Sequence, residues 1–168
     1  MDDEERITAI HEAGHAVALV RLFSDRYALD VSIEPEPDKG LLGKHAAEEL
    51  TVLCSTPDEQ AAASFEAEAI CSCAGYAAVL AAGYPEAEAI AGCESDFAEA
   101  GDLLDIGKSK AVELMQRPEN QQAVKHVADE LSRHRYLDGD HVAVLINVAD
   151  GDMTEKEYQA YLALASGG

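Results

Sequence analysis

Basic residues are scarce in this sequence. Twelve Lys and Arg stand against 33 Asp and Glu in 168 residues, a formal net charge of −21. A nucleic-acid binder needs clustered positive charge to displace counterions, so that class is excluded. The same repulsion argues against an anionic membrane surface. No apolar run approaches the roughly 20 residues of a membrane-spanning helix. Met1 is followed by Asp2, Asp3, Glu4 and Glu5 rather than by the basic and then apolar stretch of a secretory signal. Cysteine is limited to Cys54, Cys71, Cys73 and Cys93, and without a signal these read as free thiols in a reducing, cytoplasmic setting. Cys71-Ser72-Cys73 lacks the two-residue spacer of a redox or zinc-knuckle pair, and its side chains diverge on a helix. Tryptophan is absent and proline occurs five times, against thirty alanines. That balance predicts a mainly α protein with close helix contacts.

Hydrophobic residues make up 48% of the chain, too many for a disordered acidic tail. The length suits a single domain over residues 1–168. A first helix is expected from Asp3 to Phe23, its acidic first turn matching the positive end of the helix dipole. Ile7, Ile10, Gly14, Val17 and Arg21 form one stripe, with His11, His15 and Leu19 beside it. Val31-Ser32-Ile33 alternates like a short strand and runs into a turn, half of a hairpin closed by Leu41 and Leu42. Thr56 and Pro57 mark a helix start, and a long helix carries Ala61 through Ala82 to the stop at Gly83-Tyr84-Pro85. Further helices are expected over Ser95 to Met115, Glu119 to Arg135 and His141 to Val148, with Leu137-Asp138-Gly139-Asp140 as a turn. A last helix spans Met153 to Ala165, with Asp152 as its cap.

Chemistry concentrates in Ile10-His11-Glu12-Ala13-Gly14-His15-Ala16, a His-Glu-x-x-His motif within the first helix. Residues four apart lie one turn above each other, so His11 and His15 can address one metal ion. Glu12 projects from the adjoining edge, where it can take a proton from a water on that metal. Two imidazoles and one further ligand leave a zinc site open for the water, whose pKa falls toward ~7. Gly14 stands where a bulky residue would crowd the metal. Spacing does not choose the third ligand among 33 carboxylates. His45, His126, His134 and His141 read as surface or packing residues.

The segment Arg6-Ile7-Thr8-Ala9-Ile10-His11-Glu12-Ala13-Gly14-His15-Ala16-Val17 closely resembles the opening peptidase helix of FtsH-type ATP-dependent zinc metalloproteases. Val31-Ser32-Ile33-Glu34-Pro35, followed by Gly40 and Leu42-Gly43, resembles that family's substrate-side edge strand and turn. Ala91-Gly92-Cys93-Glu94-Ser95-Asp96-Phe97 is similar to its Thr-Gly-Ala-x-Asn-Asp-Leu segment, whose second Asp is the third zinc ligand. Val112 to Ile146 resembles its closing helices. The family's Gly-Gly-Arg stands here as Ala74-Gly75-Tyr76.

The resemblance implies a helical zinc-peptidase domain with a small β hairpin or edge strand. It implies Zn²⁺ held by His11, His15 and Asp96, with Glu12 as general base. The substrate would be an unfolded or flexible polypeptide. The chain begins almost at the zinc helix, so the family's ATPase module and membrane anchor are expected to be absent, any unfolding would fall to a separate ATPase, and an oligomer is open to the chain itself. Gly107-Lys108-Ser109 does not replace that motor, because Asp102 stands where a phosphate loop needs glycine. The alternative reading is a regulatory or interaction module that keeps the zinc fold with weak turnover.

Overall fold

Helix α1 (Asp3–Leu22) runs through the middle of the protein. The structure is a computed structural model that describes residues 3–23, 30–34 and 57–165. Asp3, Glu4 and Glu5 sit in the first turn of α1 and Arg21 in the last, both complementing the helix dipole. From Ala9 to Ala18 all of its residues except His11 and Glu12 are buried, which marks a core helix and not a surface one. Gly14 explains how it fits. A Cβ there would stand 2.6 Å from the Ala74 carbonyl oxygen and 2.6 Å from Ala78 Cβ. The glycine therefore sets the close approach of α1 to a second helix, and that helix, not the metal, is what a larger residue would crowd.

Pro57 opens α2 (Pro57–Ser72) as the sequence suggests. The expected long helix to Ala82 is not continuous, however. It breaks at Cys73 and resumes as α3 (Ala74–Ala81). Ser72, Cys73 and Gly75 are weak helix formers in an alanine-rich run, which localises the break. A short α4 (Glu86–Ile90) follows, then α5 (Glu94–Ala100), a 3₁₀ turn (Gly101–Leu103) and α6 (Leu104–Met115). The expected helix from Ser95 to Met115 is thus two helices. Gly101, at φ 53° and ψ −129°, supplies the conformation that separates them.

The C-terminal third comprises α7 (Pro118–His134), α8 (Gly139–Asp150) and α9 (Glu155–Ala165). Asp138 caps α8 by accepting from the His141 amide at 2.8 Å. Thr154, not Asp152, caps α9. Its hydroxyl accepts from the Glu157 amide at 3.3 Å while Glu157 Oε2 accepts from the Thr154 amide at 2.8 Å, a reciprocal capping box. The residues read as a turn at Leu137 are partly a strand. β1 (Val31–Ser32) pairs antiparallel with β2 (Tyr136–Leu137), Val31 opposite Leu137 and Ser32 opposite Tyr136. The hairpin partner expected at Leu41 and Leu42 lies outside the described residues, as do Thr56, Cys54 and His45.

α1 packs on α3 along one side and on α7 along the other, while α2, α3 and α6 pack together and α8 packs on α7. One core joins them, with Val17, Cys73, Val79, Met115, Val127, Leu131 and Ile146 fully buried. A polar strut ties its far end. Arg21 donates through Nε to Asn120 Oδ1 at 2.8 Å and grips Asp150 with both terminal nitrogens at 2.7 and 2.5 Å. Asn120, 1% exposed, in turn donates to the Leu114 carbonyl at 2.8 Å. The C-terminal end of α1 is thereby fixed to three other elements. No helix of the described residues is long and apolar enough to cross a membrane.

Candidate metal centre

His11 and His15 lie one turn apart on α1, and their rings meet edge to face with centroids 4.7 Å apart. Their Nε2 atoms are 3.0 Å apart. The first turn of α5 brings Asp96 to the same point. Its Oδ2 is 3.1 Å from His11 Nε2 and 3.5 Å from His15 Nε2. Glu94 and Glu99 on the same helix are exposed, whereas Asp96 is 4% exposed. A tetrahedral ion bound by nitrogen and oxygen at ~2.0–2.1 Å separates its ligand atoms by about 3.3–3.4 Å. The three observed separations bracket that value.

Ring orientation follows from the surroundings. His15 Nδ1 donates to the Cys71 carbonyl at 2.7 Å, which leaves the Nε2 lone pair of the neutral ring facing inward. The carbonyl belongs to the last turn of α2, two residues before the break at Cys73. Asp96 Oδ2 is fully buried, and although two ring nitrogens lie near it, none meets it with hydrogen-bond geometry. A buried carboxylate oxygen facing two imidazole nitrogens is stable only around a cation, whether protons or a metal.

The centre also depends on Gly75. A Cβ at this position would stand 2.6 Å from Nε2 of both His11 and His15. The α3 backbone lies flush against the two imidazoles, and only glycine permits that. Sequence reasoning assigned crowding at the metal to Gly14, whereas the structure gives that role to Gly75. The available signal was a glycine inside an alanine-rich helical run, at Ala74-Gly75-Tyr76.

The electrostatics fit a site built for a cation. Burial works to raise the Asp96 carboxyl pKa, but His11 and His15 outweigh it and hold the group well below the usual carboxylate range. Burial would lower His15, yet Asp96, Glu12 and the Cys71 carbonyl raise it on balance. Glu12, beside His11 on α1 and half-buried, is raised chiefly by burial, with His15 and His11 pulling the other way.

Cys93, fully buried just before α5, was read from sequence only as a free thiol, and it is one. His11, Cys93 and Asp96 form a group that could hold a metal ion, their donor atoms within 4.8 Å of one another. Of the two donor sets, the one with His15 is tighter, since Cys93 Sγ approaches the other edge of the His11 ring, 4.0 Å from Nδ1. Burial pushes the Cys93 thiol up to about 12, and the charges of Asp96 and Glu94 add to it.

Tyr76 and Phe97, each following a residue of the centre in sequence, stack edge to face at 5.7 Å, with Lys108 Nζ 3.8 Å from the Phe97 ring centre. A separate cavity of about 320 Å³, lined by Arg6, Ile10, Ala78, Met115, Val124 and Lys125 among others, includes none of the centre's residues. His126 and His134 lie on α7 and His141 on α8, away from the centre, with His141 bonded to Tyr158 at 3.1 Å. Compared with protein-family models, curated proteins and solved structures, the chain finds no significant match.

Proposed function

We propose that this chain is a zinc metallopeptidase, similar in its site to the FtsH-type peptidases, that hydrolyses peptide bonds in unfolded or flexible polypeptides. The convergence of His11 Nε2, His15 Nε2 and Asp96 Oδ2 within 3.0–3.5 Å, with Glu12 beside the first of them, carries this reading. The donor set, the orphaned Asp96 oxygen and the clearance given by Gly75 all fit a zinc ion. His11, His15 and Asp96 would hold it and leave one position open. When bound, zinc supplies Lewis acidity, polarising a carbonyl and drawing the pKa of a water toward ~7.

Glu12 accepts the proton of the attacking water and passes it to the leaving amine. Its burial raises its basicity in the direction that task needs. The Cys71 carbonyl keeps His15 in the tautomer that presents Nε2 inward. Within the described residues β1 is paired along one edge only, which suits an extended substrate joining by strand addition.

A second reading is favoured by one observation. His11, Cys93 and Asp96 form an alternative donor group that leaves out His15, and a metal held there would serve the fold and not hydrolysis. That arrangement would make the chain a zinc-bearing regulatory module. The test is to incubate the zinc-loaded chain with an unstructured polypeptide. Cleavage that a chelator stops and zinc restores is expected. Full zinc occupancy without cleavage favours the regulatory module instead.

A further inference from the structure

We propose that Cys93 is a positioning residue for the metal centre, holding His11 in the Nδ1–H tautomer from behind and tying that ring to the helix that carries Asp96. The inference deepens the peptidase reading and rests on it for the identity of the metal. The direction of the contact is settled by a third group. Cys93 Sγ lies 3.1 Å from the Ala89 carbonyl oxygen, which can only accept, so the thiol proton points there. What the sulfur then turns toward His11 Nδ1, 4.0 Å away, is a lone pair. Nδ1 is therefore the donor, and the Nε2 lone pair faces His15 and Asp96.

The two histidines are thus oriented by different parts of the fold. His15 is held by a backbone carbonyl at the end of α2, and His11 by a side chain at the start of α5. Cys93 is fully buried, so its sulfur meets His11 out of contact with solvent. It also lies three residues before Asp96, and the Phe97 amide bonds to its carbonyl at 2.9 Å within the first turn of α5. A shift of Cys93 therefore moves both His11 and Asp96.

The test uses the full chain, wild type and as Cys93→Ser and Cys93→Ala. Nitrogen NMR of the zinc-loaded wild type should show His11 bound through Nε2 with a slowly exchanging Nδ1 proton. Cys93→Ser, which keeps an acceptor, should preserve that protection, and Cys93→Ala should lose it. Zinc affinity by chelator competition should fall about 10–100-fold in Cys93→Ala and stay near wild type in Cys93→Ser, as for other groups behind a metal ligand. Cobalt-substituted wild type should lack a sulfur-to-cobalt charge-transfer band. A zinc-loaded wild type whose His11 is bound through Nδ1, or unchanged affinity in Cys93→Ala, overturns the proposal. A cobalt–sulfur band overturns it too, by making Cys93 a direct ligand. The wild-type spectra decide the matter even if Cys93→Ala does not fold. A wild type that binds no zinc overturns the peptidase reading and this proposal together, whereas a zinc-loaded wild type whose His11 Nδ1 proton exchanges freely overturns the role of Cys93 alone.

Discussion

Glycines 14 and 75 sit against opposite partners, and the difference can be measured. Gly14 faces the α3 backbone, so Gly14→Ala overpacks a helix contact and should cost ~1–3 kcal/mol in denaturant unfolding. Once folded, that variant should still take up stoichiometric zinc. Gly75 faces the imidazole nitrogens themselves, so Gly75→Ala should lose most of its zinc affinity by chelator competition. Wild-type affinity in Gly75→Ala would remove Gly75 from the centre. The histidines and Glu12 were legible in the sequence because a four-residue spacing on a helix fixes geometry locally. Gly75 and Cys93 were not, because each matters only through an atom brought from another helix. Asp96 became a candidate through family resemblance, and its burial beside both Nε2 atoms is a tertiary fact.

Helix identities were legible, and helix breaks were not. Alanine-rich composition predicts helix through both Cys73 and Gly101, yet the chain interrupts there so that α3 and α5 can turn toward α1. The β1–β2 pairing joins segments about a hundred residues apart, and no local pattern encodes that. The α8–α9 corner carries its own pH dependence. His141 is bonded to Tyr158 and packs near Tyr161, and its pKa is lowered, chiefly by burial, with Glu130 and Asp138 opposing and His134 assisting. The folded state thus prefers the neutral ring. That contribution is full above the unfolded value near 6.5 and is lost as pH falls below it. The protection factors of the α9 amides, each taken against its intrinsic exchange rate at the same pH, should fall on acidification from neutrality, and His141→Asn should flatten the change. Equal pH response in the two proteins would place the sensitivity elsewhere.

On the proposed peptidase reading, the acidity of the whole molecule bears on which polypeptides would reach the centre. A net charge of −21 attracts basic segments and repels acidic ones, and salt screens both effects. Cleavage of a basic unstructured peptide should exceed that of an acidic one of equal length at low salt, and the ratio should shrink as salt rises. An unchanging ratio would mean that local pockets set the preference. The mainly helical class followed from composition, and the β1 strand from the alternation of Val31-Ser32-Ile33. How three separate helices close around one point did not, because packing of glycine and alanine faces decides it.

The central claim is that Glu12 moves the proton while His11, His15 and Asp96 hold the zinc. Its most direct test is the zinc content and peptide-hydrolysis rate of Glu12→Gln beside wild type. The variant should fold and keep full zinc, and its rate should fall by about 10²–10⁴-fold. A zinc-replete Glu12→Gln that cleaves at the wild-type rate would contradict the account.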